Sequence, residues 1–311
     1  MLGPSSSPQD QTSNASARPP LLHHRNASPL TIVSFNIWDV PYWFVKNRQQ
    51  RILHIAAYLQ RLDAAIICLQ ESFDVHHRRF IYEHLGVERY YASGGLDATR
   101  HAPLASFDTT GGLVIFSKFP LIQSHFRPFT QFTPSWIERI ARKGVLEATL
   151  ETPYGHMQVL NIHLHGGQHV LARSIRFKQL KSVVERMPWQ RNVPAIVAGD
   201  FNEHVLMAQK QWANLLQSRQ LTHAFQGEHG PCMPSYRVDN PLVNHWLNRS
   251  TYSRRLDYIF ISVPEECALQ VVQYEPLYLI PPLSDHDPVV LSLTSDSETD
   301  GARRFKILPL I

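Results

Sequence analysis

Ala64-Ala65-Ile66-Ile67-Cys68-Leu69-Gln70-Glu71 decides how the chain reads. It opens on a continuous apolar run, too short for a helix and without alternation, as in a strand covered on both faces. Two polar residues then end the run. The same design recurs in Leu30-Thr31-Ile32-Val33-Ser34-Phe35-Asn36 and in Ala195-Ile196-Val197-Ala198-Gly199-Asp200-Phe201-Asn202. Val159-Leu160-Asn161-Ile162 runs into His163 and His165, and Asp285-His286 precedes the apolar run from Val289 to Leu293. A single carboxylate at a strand end commonly caps the next helix. Repetition on separate strands implies a shared rim where polar ends converge.

Working outward, further strands are expected at Gly112 to Phe116, Val145 to Leu150, Met157 to Ile162 and Leu256 to Ile261. Across 47–62, Ile52, Ile55, Ala56, Leu59 and Leu62 recur at helical steps. Further helices are expected near 73–85, 169–186 and 205–218. The short polar turn Glu151-Thr152-Pro153-Tyr154-Gly155 favours antiparallel neighbours. The simplest packing of these elements is an α/β fold with sheet against sheet and helices outside.

Residues 1–28, rich in Ser, Pro, Gln and Asn, read as a disordered leader. A single catalytic domain is expected over 29–295, with a tail of unassigned role over 296–311. Composition is globular, at 43% hydrophobic and 18% charged residues. The formal charge of +4 tolerates an anionic partner without demanding one. Cys68, Cys232 and Cys267 are spaced neither for a CxxC metal site nor for a disulfide framework. No basic and apolar leader marks a Sec signal, and no apolar stretch reaches spanning length. The expectation is a soluble monomer, cytoplasmic or non-classically secreted, that meets a membrane only peripherally.

The rim residues suit one reaction class. Glu71, Asn36 and Asp200 offer hard oxygen ligands, which fits Mg2+ held by carboxylates and water, with Mn2+ as an acceptable substitute. No HExxH pattern supports zinc, and neither a GxSxG elbow nor a Walker A loop is present. Asp285, next to His286, is expected to hold that imidazole in the tautomer that accepts a proton from water.

The ordered set Ser34-Phe35-Asn36-Ile37-Trp38, Leu69-Gln70-Glu71, Asn161-Ile162-His163-Leu164, Gly199-Asp200-Phe201-Asn202, Arg255-Leu256-Asp257-Tyr258 and Ser284-Asp285-His286-Asp287-Pro288 resembles the endonuclease/exonuclease/phosphatase superfamily. The resemblance covers about residues 30–294. It implies two packed mixed β-sheets with helices outside, a four-layer, deoxyribonuclease-like sandwich, and metal-assisted attack of water on a phosphoester. Within the superfamily, the chain is most similar to the neutral sphingomyelinases. Asn36-Ile37-Trp38-Asp39-Val40-Pro41-Tyr42, Ala141-Arg142-Lys143-Gly144-Val145 and Asn161-Ile162-His163-Leu164-His165 carry that similarity.

Matched by position, the resemblance implies that Glu71 binds Mg2+ with Asn36 beside it. His286 would be the general base oriented by Asp285, with Asp200 and Asn202 placing water and phosphate. His163 would donate to a non-bridging oxygen. Asp257 would brace the site, Lys143 is a candidate phosphate contact, and His165 is a neighbour.

The expected reaction is cleavage of sphingomyelin to ceramide and phosphocholine, with phospholipid at a membrane surface as partner and no nucleic acid. Trp38 and Tyr42, with Trp43 and Phe44, are candidates to cradle choline by cation–π contact. Residues 119–136 hold Phe119, Phe126, Phe129, Phe132 and Trp136 among Pro120, Pro128 and Pro134, and read as an aromatic loop for a bilayer interface or for the core. A nuclease, an inositol-phosphate-type phosphatase and an inactive phospholipid-binding protein stay open as alternatives.

Overall fold

The computed structural model describes residues 29–40, 45–96, 110–131, 133–190, 192–204, 206–224, 233–243, 251–264 and 270–294. The expected leader and the tail over 296–311 lie outside the described residues, as do Tyr42, Trp43, Phe44, Phe132, Cys232 and Cys267.

The continuous apolar runs become central strands. β1 (Leu30–Asp39) and β2 (Ile66–Ser72) pair in parallel. β3 (Tyr91–Ser93), β4 (Val114–Ser117), β11 (Gln270–Pro276) and β12 (Val289–Thr294) complete their sheet in the order β11-β12-β1-β2-β4-β3. The second sheet contains β5 (Leu121–Pro128), β6 (Gly144–Thr152), β7 (Gly155–His163), β8 (Ala195–Asp200), β9 (Thr222–His223) and β10 (Asp257–Ser262). Its order is β5-β6-β7-β8-β10-β9. Both sheets are mixed, and the turn after Thr152 makes β6 and β7 antiparallel, as the sequence implies.

Successive side chains on a strand point to opposite faces, so each central strand feeds two cores. Ile32, Cys68 and Ile115 meet Val159, Ala198 and Ile259 between the sheets. Val33, Phe35 and Leu69 face outward under α1 (Arg48–Leu62) and α2 (Val75–Leu85), which contribute Ile52, Leu59 and Ile81. On the far side, Leu160, Ile162 and Val197 pack under α4 (Ala172–Arg186) and α5 (Lys210–Gln217). The result is the four-layer sandwich. The short helix α3 (Trp136–Ala141) has no buried residue and stands apart from these cores.

One polar bridge pins the two sheets together. Asn161 on β7 donates to the Leu69 and Val114 carbonyls at 2.8 and 2.9 Å and accepts from Gln70 at 2.8 Å. All of these groups are buried, so the bridge fixes how the sheets register.

The aromatic segment is not a loop. It contains β5 and the start of α3, with a connection between them. Phe119 and Phe126, half-buried, pack against the inter-sheet core, and Phe129 packs against the core under α4. Of the described phenylalanine and tryptophan rings in that segment, only that of Trp136 is exposed.

Candidate active site

Topology gathers the polar strand ends at one rim. β1 and β2 run parallel, as do β7 and β8, so Asn36, Glu71, His163 and Asp200 emerge at the same edge. β10 is antiparallel to β8 with Asp257 opposite Asp200, and β12 is antiparallel to β1, so Asp257 and the 284–287 turn reach that edge from the other direction. Trp38, Glu71 and Asn202 have left-handed backbone with φ near 50°. Such conformations cost about 1–3 kcal/mol each and persist where surrounding structure enforces them. Gly199 is also fixed by geometry: a Cβ there would lie 1.9 Å from the Ile162 carbonyl oxygen at φ +152°.

The rim surrounds a cleft of about 440 Å³. Glu71, Asp285 and His286 line it together, with Asp200 and Asn202 on its floor and Trp38 and Lys143 in its walls. The turn carrying Asp285 and His286 is tied down from several sides. Arg51, buried on α1, donates to the Ile37, Trp38 and Leu283 carbonyls at 3.0, 2.8 and 2.9 Å. Ser284 Oγ donates to the Asn36 carbonyl at 2.7 Å.

His286 Nδ1 lies 2.7 Å from Asp257 Oδ2, and Ser235 Oγ donates to that same oxygen at 2.6 Å. The geometry thus sets Asp257, and not the expected Asp285, against His286 Nδ1. Asp257 reaches the ring from β10 of the other sheet, while Asp285, on the same turn as His286, lines the cleft. The edge of the imidazole is closed by Tyr236, whose ring centroid lies 5.1 Å away. Burial opposes protonation of His286, but Asp257 and Asp200 raise its pKa well above the ordinary value.

Asp200 accepts from Asn36 Nδ2 at 3.0 Å and from the Asn202 backbone N–H at 2.8 Å, and lies 3.9 Å from His286 Nε2. Burial pushes its carboxyl up, but His286 and His163 more than offset this and hold it well below the usual carboxylate range. His163 corrects a second expectation. It is fully buried, does not line the cleft, and points Nε2 at Asp200 and Glu71, 3.4 and 3.7 Å away. Neither ring nitrogen has a hydrogen-bond partner among the described residues, so the ring packs behind the two carboxylates and away from the cleft surface.

Burial raises the Asp285 carboxyl to about 7, and the nearby charge of Glu71 adds to the rise. Two carboxylates facing one cleft without a cation between them disfavour their own ionisation. Glu71 and Asp285 both line the cleft, and two such carboxylates fit a hard dication, with Asn36 buried beside them and its Oδ1 accepting from the Trp38 N–H at 3.1 Å. Asp200, Asp257 and His286 also bring ligand atoms within 4.8 Å of one another. Within that cluster a hydrogen bond joins Asp257 to His286.

Lys143 is nearly buried in the cleft wall and is no solvated turn residue: its Nζ lies 3.1 Å from Glu138 and donates to the Leu164 carbonyl at 3.3 Å. His165 is buried behind that wall, with Nδ1 3.0 Å from Glu138 and Nε2 3.0 Å from His169. Trp38 does not offer an open ring. It is buried, and the Arg51 guanidinium sits 5.1 Å from its centroid.

Sequence reasoning missed Ser235, Tyr236, Glu138, Arg176, Glu203 and Arg254 in or behind the cleft walls. Arg254 stands beside the Arg255-Leu256-Asp257-Tyr258 motif, which was the nearest available signal. The others follow no strand-end pattern.

The chain belongs to the endonuclease/exonuclease/phosphatase family, whose pattern matches residues 33–286. It is 27% identical over 303 residues to an inositol phosphosphingolipids phospholipase C of Schizosaccharomyces pombe, covering 84% of this chain and 67% of that protein. It is 21% identical over 301 residues to a sphingomyelinase C of Leptospira interrogans, covering 87% of this chain and 52%, about half, of that one. Among solved structures, D. rerio TDP2 complexed with a single-strand DNA product superposes with a TM-score of 0.65 at 18% identity, over 86% of this chain and 100% of that one. That likeness is one of fold. Among the described residues, no helix is long and apolar enough to cross a membrane.

Proposed function

We propose that this chain is a magnesium-dependent phosphodiester hydrolase of the phospholipase C type, acting on a phosphosphingolipid. The carrying observation is His286, held through Nδ1 by Asp257 while its Nε2 lies on the cleft side near Asp200. In the neutral ring, with Nδ1–H donated to Asp257, Nε2 is the acceptor. Asp257 and Asp200 favour the protonated ring, and a dication held beside Asp285 would oppose that charge and favour the neutral base. Nε2 takes a proton from water as the water oxygen attacks phosphorus. The bond from phosphorus to the lipid alcohol oxygen breaks, that oxygen gains a proton, and the headgroup leaves as a phosphomonoester.

Glu71 and Asp285, with Asn36, would hold the dication, and Asp200 and Asn202 flank the attack position. When bound, the ion supplies neutralisation of a phosphate oxygen and of the leaving oxygen. His163 backs Glu71 and Asp200 from beneath the cleft. The two curated relatives support a sphingolipid phosphodiester, and their names differ in the headgroup.

A second reading of the headgroup rests on the cleft's aromatic walls. The tryptophan and tyrosine rings lining it are Trp38, Tyr236 and Tyr252. Arg51 sits on Trp38, and the Arg254 guanidinium lies 4.9 and 5.8 Å from the Tyr236 and Tyr252 centroids. A choline ammonium would have to share each ring with a cation, which offsets the cation–π attraction. Arg254 makes no ion pair with a carboxylate among the described residues, and its buried Nε has no hydrogen-bond partner. A headgroup bearing hydroxyls or additional negative charge suits it better than choline. The test is headgroup release from ceramide phosphoinositol, sphingomyelin and phosphatidylcholine, with DNA as a further arm, each with Mg2+ and with chelator. Release from either sphingolipid supports the reaction class, and the ratio between them reports the headgroup. DNA nicking without lipid turnover would overturn the proposal.

A further inference from the structure

One wall of the cleft carries an apolar face that the chemistry above does not use. α3 exposes Trp136, Ile137 and Ile140, with Trp136 at 59% and Ile140 at 68%. The turn before α4 exposes Val170, at 94%, and Leu171. These two segments abut. Glu138 on α3 lies 3.0 Å from His165 Nδ1 and accepts from the Gly166 N–H at 3.2 Å, and Glu138 and Gly166–Gln168 line the cleft itself.

The helical arrangement fixes which way the apolar groups point. At about 100° per residue, Trp136 and Ile140 fall on the face opposite Glu138, with Ile137 and Arg139 flanking them. Since Glu138 is tied to the body of the protein, that face looks outward. Its fringe is cationic. Arg139, Arg142 and Lys178 are exposed, and the only acid between Pro134 and Lys143 is the inward Glu138. Between Gly166 and Lys178 there is no acidic residue. Apolar side chains ringed by unopposed cations match an anionic bilayer, where rings and aliphatic groups enter the acyl boundary and guanidinium groups stay among the headgroups. A stable protein interface needs about 20–30 residues a side, far more than these two segments offer. A polynucleotide backbone would use the cations and leave the apolar groups unsatisfied.

We propose that α3 and the 169–171 turn form a membrane-docking face that seats the mouth of the cleft on an anionic lipid surface. This deepens the lipid reading above and rests on it for its purpose. Its test, however, needs no turnover. The full chain, in chelator, is sedimented with vesicles of phosphatidylcholine with and without phosphatidylserine. The wild type is expected to partition onto the vesicles, more strongly with phosphatidylserine. The double variant Trp136→Ala/Ile140→Ala should lose at least ~10-fold in partition coefficient, from the apolar area removed. Arg139→Glu/Arg142→Glu should abolish the phosphatidylserine dependence. Leu53→Ala, an exposed apolar residue on α1 away from this wall, should partition as wild type. All variants should keep the wild-type thermal melt, because the substituted side chains are exposed.

Three outcomes would overturn the proposal: a wild type that does not partition, a Trp136→Ala/Ile140→Ala variant that partitions unchanged, or variant-sensitive binding to DNA but not to vesicles. Vesicle binding that behaves as stated, in a protein that hydrolyses no phosphodiester, would remove the enzymatic reading and leave the docking face standing. Hydrolysis of soluble bis(p-nitrophenyl) phosphate without vesicle binding would do the reverse.

Discussion

Replacing Asp257 with Asn removes the charge that holds His286 and leaves its shape. In the structure the carboxylate lies 2.7 Å from His286 Nδ1 and is itself fixed by Ser235 at 2.6 Å. An amide there can present N–H to Nδ1. This forces the proton onto Nε2, the nitrogen that must accept one from water. The corresponding loss in a hydrolase whose aspartate orients its histidine base is about 10⁴-fold. Here the base is not paired with a protein nucleophile, so ~10³ to 10⁴-fold in kcat/KM is expected, about 4–5.5 kcal/mol of transition-state stabilisation. Initial rates on bis(p-nitrophenyl) phosphate at saturating Mg2+ measure the loss, with a thermal melt to confirm folding. Asp285→Asn is the informative partner. It should weaken the Mg2+ requirement curve and recover part of its activity at high Mg2+, whereas Asp257→Asn should not recover at any concentration. If Asp257→Asn stays within ~10-fold of wild type, or if Mg2+ rescues it, the assignment of Asp257 as the orienting group is wrong.

Other substitutions test separate parts of the structure. Asn161→Leu strands the buried Leu69 and Val114 carbonyls and Gln70, and should destabilise by ~2–4 kcal/mol in urea unfolding. Burial pushes the Glu138 carboxyl up, but Lys143 and His165 pull it well below the usual carboxylate range. A depressed folded pKa gives stability that is present above the unfolded value of ~4.3 and is lost as pH falls toward the folded one. Melting temperature should therefore drop on acidification below that value, and Glu138→Gln should flatten the drop. Arg254→Ala should raise the sphingomyelin-to-ceramide phosphoinositol rate ratio, measured in mixed micelles; an unchanged ratio would remove Arg254 from headgroup choice.

The parts legible in the sequence were those governed by local pattern. Strands buried on both faces announce themselves as unbroken apolar runs, which is why β2 and β8 and the residues at their ends were readable. β5 was not read because this edge strand buries little. β5 is exposed along most of its length, so Leu121-Ile122-Gln123-Ser124-His125-Phe126 shows no alternation to detect. The family motifs brought Asn36, Glu71, Asp200, Asn202, Asp257, Asp285 and His286 to one list, and the structure brings them to one rim. Which carboxylate faces His286 was not legible. Asp257 lies 29 residues away in sequence, and only the packing of one sheet on the other makes it a neighbour. Arg254 was hidden for the same reason, since its meaning comes from the tyrosine rings it covers.

The decisive assay for metal-dependent hydrolysis through His286 is release of the phosphorylated headgroup from a phosphosphingolipid, by wild type and His286→Ala in Mg2+ and in chelator. The structure predicts release by the wild type only with Mg2+, and a loss of at least ~100-fold in His286→Ala. Release that persists in chelator, or a His286→Ala variant as active as wild type, would contradict it.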